Sequence, residues 1–182
     1  MNKKKGIVTA AIIVIGNEIL SGRTQDLNVS LIAKWLNNLG ITLYEVRIIP
    51  DIEKTIVNTI NKVRKKHNYV FTTGGIGPTH DDITAKSISK AFKKKYQYNK
   101  EAYALLKKYY GASRFTIGRK KMAKTPAGAQ LIYNPSSGAP GFYIGNVFSL
   151  PGVPSILKSM IGGLTNKLSK GKKIFSKTIH LK

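Results

Sequence analysis

Thr9 to Ile15 reads Thr-Ala-Ala-Ile-Ile-Val-Ile, an uncharged run closed at once by Gly16. A continuous apolar run that ends in a turn former reads as a strand covered on both faces. The chain then alternates between that pattern and a helical one. Leu27, Leu31, Ile32, Trp35, Leu36 and Leu39 recur at helical spacing, and Gly40 stops the helix. Ile41 to Ile49 reads as a second strand, punctuated by Pro50-Asp51, with Asp51 placed to cap a helix carrying Ile52, Ile56, Ile60 and Val63. Tyr69 to Thr73 is a third strand, cut off by Gly74-Gly75, and a helix with Ile83, Ile88, Ala91 and Phe92 follows the loop. The order β-α-β-α-β-α predicts an α/β fold, a parallel sheet with helices on both faces.

The second half changes character. Glu101 to Tyr110 reads as a helix stopped by Gly111, and Arg114 to Ala123 as another. Three short apolar pieces follow, Ala129 to Tyr133, Gly141 to Ile144 and Val147 to Leu150, the last two joined by a Gly145-Asn146 hairpin turn. Leu150-Pro-Gly-Val-Pro154 leads into a helix from Ser155 to Ile161, ended by Gly162-Gly163, and Lys172 to Lys182 alternates like a strand.

Composition narrows the function classes. With 182 residues the chain fits one domain, and 42% hydrophobic residues suffice for a core. The absence of cysteine removes disulfides, thiolate zinc sites and cysteine nucleophiles. No apolar run approaches the roughly 20 residues that span a bilayer. Met1-Asn-Lys-Lys-Lys-Gly looks like a signal-peptide start, but Ile7 to Ile15 has no small-residue cleavage site and runs into the turn Gly16-Asn17-Glu18. The expectation is a strand there, a cytoplasmic protein and no membrane partner. The net charge is +23, which invites a nucleic-acid reading. The Lys residues are nevertheless spread along the chain, no Arg-rich or aromatic-interleaved stripe appears, and Ile and Asn are also abundant. The charge is therefore read first as a solvated, composition-biased surface, with nucleic-acid binding through that surface kept as a third reading resting on charge alone.

In a basic chain the acids are informative. The eight are Glu18, Asp26, Glu45, Asp51, Glu53, Asp81, Asp82 and Glu101. Half fall in two loops that leave carboxyl ends of strands, where open α/β sheets bind ligands. One is Gly16 to Asp26; the other is Thr72-Thr-Gly-Gly-Ile-Gly-Pro-Thr-His-Asp-Asp82. If the first and third strands are neighbours, both loops open on one crevice. Thr73, Gly74, Gly75 and Gly77 would bring backbone N–H groups close to a phosphate, and the helix beginning near Asp82 would face the same space. Gly-Gly-x-Gly is neither a Rossmann fingerprint nor a Walker loop. Asp81 and Asp82 beside a phosphate imply a divalent cation between the anions, Mg²⁺ first, with Co²⁺ or Mn²⁺ as alternatives. The plain alternatives are that Asp82 caps its helix, Asp81 is solvated, Asp26 caps the helix at Leu27 and Glu18 is a turn residue. His80 reads as a base, a phosphate contact or a solvated loop residue. Ser21 has neither G-x-S-x-G nor a His–Asp pair, so a serine hydrolase is not expected. Two further loops read as ligand walls or ordinary turns: Asn134-Pro-Ser-Ser-Gly-Ala-Pro-Gly141, with Ser137 and Gly138, and Leu150-Pro-Gly-Val-Pro154, with Pro151 and Gly152.

Ile13 to Asp26, Thr72 to Thr84, Ala123-Lys-Thr-Pro-Ala-Gly-Ala129, Asn134 to Gly141 and Leu150 to Pro154 together resemble the MoaB/Mog-like molybdopterin-binding domain family. The branch they resemble most is the one that includes the N-terminal domain of the competence/damage-inducible protein CinA. The resemblance runs collinearly from about residue 8 to 162. It implies a three-layer α/β/α sandwich with a mostly parallel sheet over residues 1–165, and a homo-oligomer, dimer or trimer. Residues 166–182 would form a basic tail and the start of an extension such chains carry.

The resemblance also implies chemistry. Mog-like members bind molybdopterin and Mg-ATP and adenylate the pterin phosphate. CinA-like members cleave the pyrophosphate of ADP-ribose and related dinucleotides with a divalent metal. Asp82 falls at the functional aspartate of the Mog-type loop, Asp26 at the acidic position before the first helix, and Glu18 in the Gly-Asn/Asp-Glu motif of the CinA-like branch. Gly74, Gly75 and Gly77 match the phosphate loop. Cleavage of a nucleotide pyrophosphate is the first expectation. Asp26 and Asp82, with Asp81, would serve the metal, and Glu18 or His80 would be the base. Molybdopterin adenylation, or pterin binding without turnover, is the alternative.

Overall fold

The computed structural model describes residues 7–171. The strand-like tail read at Lys172 to Lys182 lies outside the described residues.

The apolar runs form the strands expected of them. β1 (Thr9–Ile15) and β3 (Tyr69–Thr73) match their predicted limits, and β2 (Thr42–Ile49) differs by one residue. One sheet has the order β2-β1-β3-β8-β7-β6, with β6 (Gln130–Ile132), β7 (Gly141–Ile144) and β8 (Val147–Leu150). β2, β1, β3 and β8 run parallel, whereas β8, β7 and β6 pair antiparallel. Gly145, at φ +55°, makes the hairpin turn between β7 and β8.

Interior β1 alternates its side chains between two cores. Ile12 and Val14 face α2 (Asn28–Asn38) and α7 (Pro154–Ile161), packing with Ile32, Leu36, Leu157 and Met160. Ile13 and Ile15 face α3 (Glu53–Val63) and α4 (Thr84–Ala91), packing with Ile56, Ile60 and Ile88. Each such isoleucine contributes roughly 1.5–3 kcal/mol of burial, which explains why a strand covered on both sides needs no polar alternate. The predicted three-layer α/β/α arrangement is therefore the observed one. A third cluster, around Ala102, Leu106, Phe115, Ala123 and Leu131, holds α5 (Lys100–Arg114) and α6 (Ile117–Lys121) against one end of the sheet. There β4 (Tyr96–Tyr98) and β5 (Lys124–Pro126) form a separate two-stranded ladder.

Several local expectations are corrected. The segment read as a loop from Gly16 to Gly22 contains a one-turn helix, α1 (Asn17–Leu20). Asp51 does not cap α3, whose N-cap is Ile52; its Oδ2 accepts from the Asn17 backbone N–H at 2.9 Å instead. Asp82 does not cap α4 either, since Ile83 is the N-cap and no side chain bonds the helix start. The last helix does end where it was expected to, with Gly162 as the C-cap of α7, although Gly162 keeps helical angles and the chain tightens into a 3₁₀ turn, Gly162–Lys167. Gly111 does interrupt α5, at φ +71° and ψ 167°, although helical pairing resumes as far as Arg114.

Candidate functional site

Because β1, β3 and β8 are parallel neighbours, the loops that follow them leave the same edge of the sheet. They touch there. A Cβ built on Gly74 would lie 2.2 Å from the Ile15 carbonyl oxygen, and one on Gly152 would lie 3.4 Å from the Gly74 Cα. Gly74 and Gly75 adopt φ of +92° and +67°, which L side chains resist. The Thr84 hydroxyl fills the space a Gly75 side chain would need and donates to the Gly74 carbonyl at 3.0 Å.

These loops surround a cavity of about 620 Å³, within the size range of small-molecule sites. Its lining includes Glu18 and Asp26 from the first loop, Thr73, Gly74, Gly75, Gly77 and Asp82 from the second, and Ser137, Pro151 and Gly152 from the outer walls. The structure thus brings together ten of the residues singled out in the sequence. Three others lie outside the lining. His80 and Asp81 pair with each other at 2.7 Å on the surface, and Gly138 packs against Tyr109, whose ring a Cβ there would strike.

Two of the three acids in the cavity accept hydrogen bonds from nearby residues, and the third folds back on its own turn. Asp82 Oδ2 accepts from the Thr79 N–H at 2.8 Å and from the Thr79 hydroxyl at 2.6 Å, which braces the turn before α4. Asp26 Oδ1 accepts from the Val29 N–H at 2.8 Å and so satisfies the first turn of α2, as the plain reading of that residue expected. The Glu18 carboxylate folds back over Gly16, where a Cβ would sit 2.5 Å from it. Asp51 was not read as part of the site. Burial pushes its carboxyl above the usual carboxylate range; the Asn17 N–H pulls it back, and the charges of Glu18, Asp82 and Asp81 push it further up. Five of the eight acids, Glu18, Asp26, Asp51, Asp81 and Asp82, therefore gather at this edge of a chain with net charge +23.

Some of the lining escaped the sequence reading. Asn28 opens α2, Tyr110 lies beside the break at Gly111, and Met122 follows α6; all three border the cavity. α6 also supports the glycine loop from outside. Lys121 Nζ donates to the Thr79 carbonyl at 2.5 Å, and a Cβ on Gly118 would lie 2.6 Å from the Pro78 carbonyl oxygen.

A divalent cation is tested by this donor set. Among the described residues, no group of three or more His, Asp or Glu side chains is arranged to hold a metal. Glu18, Asp26 and Asp82 line the cavity without forming such a cage. That set fits an ion of the Mg²⁺ type, which takes one or two carboxylates and completes its shell with waters and ligand phosphates. It does not fit a site built of protein ligands alone.

Residues 11–170 match the family model described as "Probable molybdopterin binding domain". The chain belongs to this family. Within the family it is similar to a protein of Archaeoglobus fulgidus, 35% identical over 160 residues that cover 88% of this chain and 69% of that protein. A protein of Pyrobaculum calidifontis is 35% identical over 170 residues, covering 90% of this chain and 65% of its own length. This chain thus spans about two thirds of the length of these relatives. Among solved structures, the protein CinA from Thermoplasma acidophilum, described as of unknown function, has a TM-score of 0.83 and 32% identity, over 88% of this chain and 98% of that one. The molybdopterin biosynthesis enzyme MoaB from Thermus thermophilus has a TM-score of 0.57 at 15% identity, over 89% and 92% of the two chains. The tungsten cofactor synthesizing protein MoaB from Pyrococcus furiosus has the same TM-score at 22% identity, over 92% and 94%. The last two show the molybdopterin-binding domain's fold. No helix among the described residues is long and apolar enough to cross a membrane.

Proposed function

We propose that this domain binds a phosphorylated nucleotide in the cavity and, with a divalent cation, hydrolyses its pyrophosphate, with ADP-ribose or FAD as the substrate type. The observation that carries the reading is that the Gly74–Gly77 loop and the acids Glu18, Asp26 and Asp82 line one cavity. Backbone N–H groups of the glycine loop would hold phosphate oxygens. Asp82 and Asp26 would hold the cation, directly or through its waters; Asp81, outside the lining and paired with His80, is not assigned to it. The cation would supply charge neutralisation at the phosphoryl oxygens and acidify an attacking water. The Asp51 carboxyl, pushed up by burial and further by the charges of Glu18, Asp82 and Asp81, supports the reading, because a nearby cation would relieve that repulsion.

Hydrolysis adds water across the P–O–P bridge. One P–O bond forms to the water oxygen, the bridging bond breaks, and two phosphate monoesters leave. Glu18 is the candidate to accept the water's proton, because it lines the cavity and His80 does not. A pterin is the second reading, supported by family membership and by apolar side chains in the lining, among them Tyr110, Met122 and Ile156. In that reading the domain adenylates or simply holds molybdopterin. The resemblance to this family implies a homo-oligomer as the working form.

A thermal-shift screen of ADP-ribose, FAD, ATP and molybdopterin, each with and without Mg²⁺, tests the choice. Stabilisation by ADP-ribose or FAD that grows with Mg²⁺, together with release of AMP, supports the first reading. Stabilisation by molybdopterin alone, without turnover of either dinucleotide, replaces it with the second.

A further inference from the structure

Two buried polar atoms in the wall of the cavity have no hydrogen-bond partner among the described residues: Asn28 Oδ1 and Thr73 Oγ1. Asn28 is 4% exposed and Thr73 1%, and both residues line the cavity. The Asn28 Nδ2 donates to the Gly152 carbonyl at 2.7 Å. A carbonyl can only accept, so that bond fixes which end of the amide is which, and it commits Oδ1 to the opposite direction as an acceptor. Thr73 is the last residue of β3, held on both sides by parallel strands, and its neighbour Thr72 has already found Ser149 at 3.0 Å. A buried acceptor and a buried hydroxyl without partners are costly in a folded protein. Such atoms in a cavity wall are met by a ligand or by an ordered water.

The position of the pair says which group would do so. Thr73 directly precedes the glycine loop, and Asn28 is tied to Gly152, which packs on Gly74. A donor reaching these atoms must therefore lie within a few bonds of a phosphate seated on that loop. In a nucleotide the donor so placed is a sugar hydroxyl, whereas the base lies farther along the molecule. We propose that Asn28 Oδ1 and Thr73 Oγ1 form a subsite for a sugar hydroxyl of the bound nucleotide, a proposal that rests on the nucleotide reading above. The hydroxyl donates to Asn28 and exchanges a hydrogen bond with Thr73, so that ligands carrying only phosphates leave both atoms unmet.

Thr73→Val tests this, since it keeps the shape of the side chain and removes only the hydroxyl. Titration calorimetry in Mg²⁺ would measure binding of ADP-ribose and of inorganic pyrophosphate, which has no sugar, to the wild type and the variant. The expected result is about a tenfold loss for ADP-ribose, with pyrophosphate unchanged. The melting temperature of the free variant should equal or exceed that of the wild type, because an unsatisfied buried hydroxyl has gone. Asn28→Leu should weaken ADP-ribose in the same selective way but also lower the melting temperature, since it breaks the bond to Gly152. Unchanged ADP-ribose affinity in Thr73→Val overturns the subsite and leaves the nucleotide reading standing. An equal loss for both ligands, or a lower melting temperature in the free Thr73→Val variant, also overturns it by showing that Thr73 acts only on the loop. Failure of the wild type itself to bind ADP-ribose removes the nucleotide reading, and this subsite with it.

Discussion

The carboxylate of Asp82 rests on the face of Gly77, so close that a Cβ at Gly77 would lie 2.8 Å from Oδ2 and 3.1 Å from Cγ. Residue 77 is therefore a glycine for the sake of residue 82. Its φ is not positive, so alanine there strains no backbone. Gly77→Ala should cost less than about 1 kcal/mol of stability while displacing the Asp82 carboxylate, and Mg²⁺-dependent affinity for ADP-ribose should fall about tenfold or more. Calorimetry on the folded variant measures this. Wild-type affinity would show that the seating of Asp82 on Gly77 is irrelevant to the ligand.

Gly74 presents the opposite case. Its φ of +92° and the 2.2 Å approach of a would-be Cβ to the Ile15 carbonyl oxygen leave alanine neither a favourable conformation nor space. Gly22 shares a positive φ, +74°, but nothing lies within 4 Å of its would-be Cβ. Gly22→Ala should cost about 1 kcal/mol, the left-handed strain alone, and Gly74→Ala at least about twice that. Urea denaturation of the two variants gives the comparison; equal losses would mean that the Gly74–Ile15 contact carries no energy.

The far end of the sheet sets an acid limit. Burial raises the Glu45 carboxyl, but hydrogen bonds and charge from Arg47 and His67 outweigh it and leave the group below its ordinary value of 4.5. The folded protein thus holds Glu45 ionised where the unfolded chain would take up a proton. That contribution to stability is complete above the ordinary value and disappears as the pH falls through the lowered one. Glu45→Gln should be less stable than the wild type at neutral pH, with the gap closing on acidification. Denaturation midpoints across pH 3–7 follow it, and a gap that widens in acid would contradict the assignment.

Metal binding should depend on ligand. With no cage of three carboxylates or imidazoles among the described residues, the free domain should hold Mn²⁺ only weakly, and tight binding should appear when ADP-ribose supplies phosphate oxygens. Electron paramagnetic resonance of free Mn²⁺ distinguishes the cases, and tight binding by the ligand-free domain would contradict this account.

Much of this was legible in the sequence because parallel strands announce themselves. A run such as Thr9–Ile15, buried on both faces, has no polar alternate to confuse its reading, and the glycines that end β1 and β3 marked the loops that matter. The β4–β5 ladder was not legible, since three-residue strands carry too little pattern. Asp51 looked like a helix cap because it precedes α3, yet its partner is Asn17, 34 residues away. Asn28 left a trace that went unread. It occupies the i, i+4, i+8 stripe with Ile32 and Leu36, the buried face of α2, and a polar residue in an apolar stripe calls for a partner. The partner, Gly152, lies 124 residues on, and only the fold brings the two together.

Mg²⁺-dependent hydrolysis of ADP-ribose, compared between the wild type and Asp82→Asn, decides whether the cavity carries cation-assisted chemistry. Asparagine keeps an oxygen to accept from Thr79, so the melting temperature should change little. The carboxylate charge at the cation is lost, and release of AMP should fall by orders of magnitude. A wild-type domain that releases AMP in Mg²⁺ but not in a chelator, and an Asp82→Asn variant that folds and does not, would support the account. Equal turnover by the two proteins, or no turnover by the wild type, would contradict it.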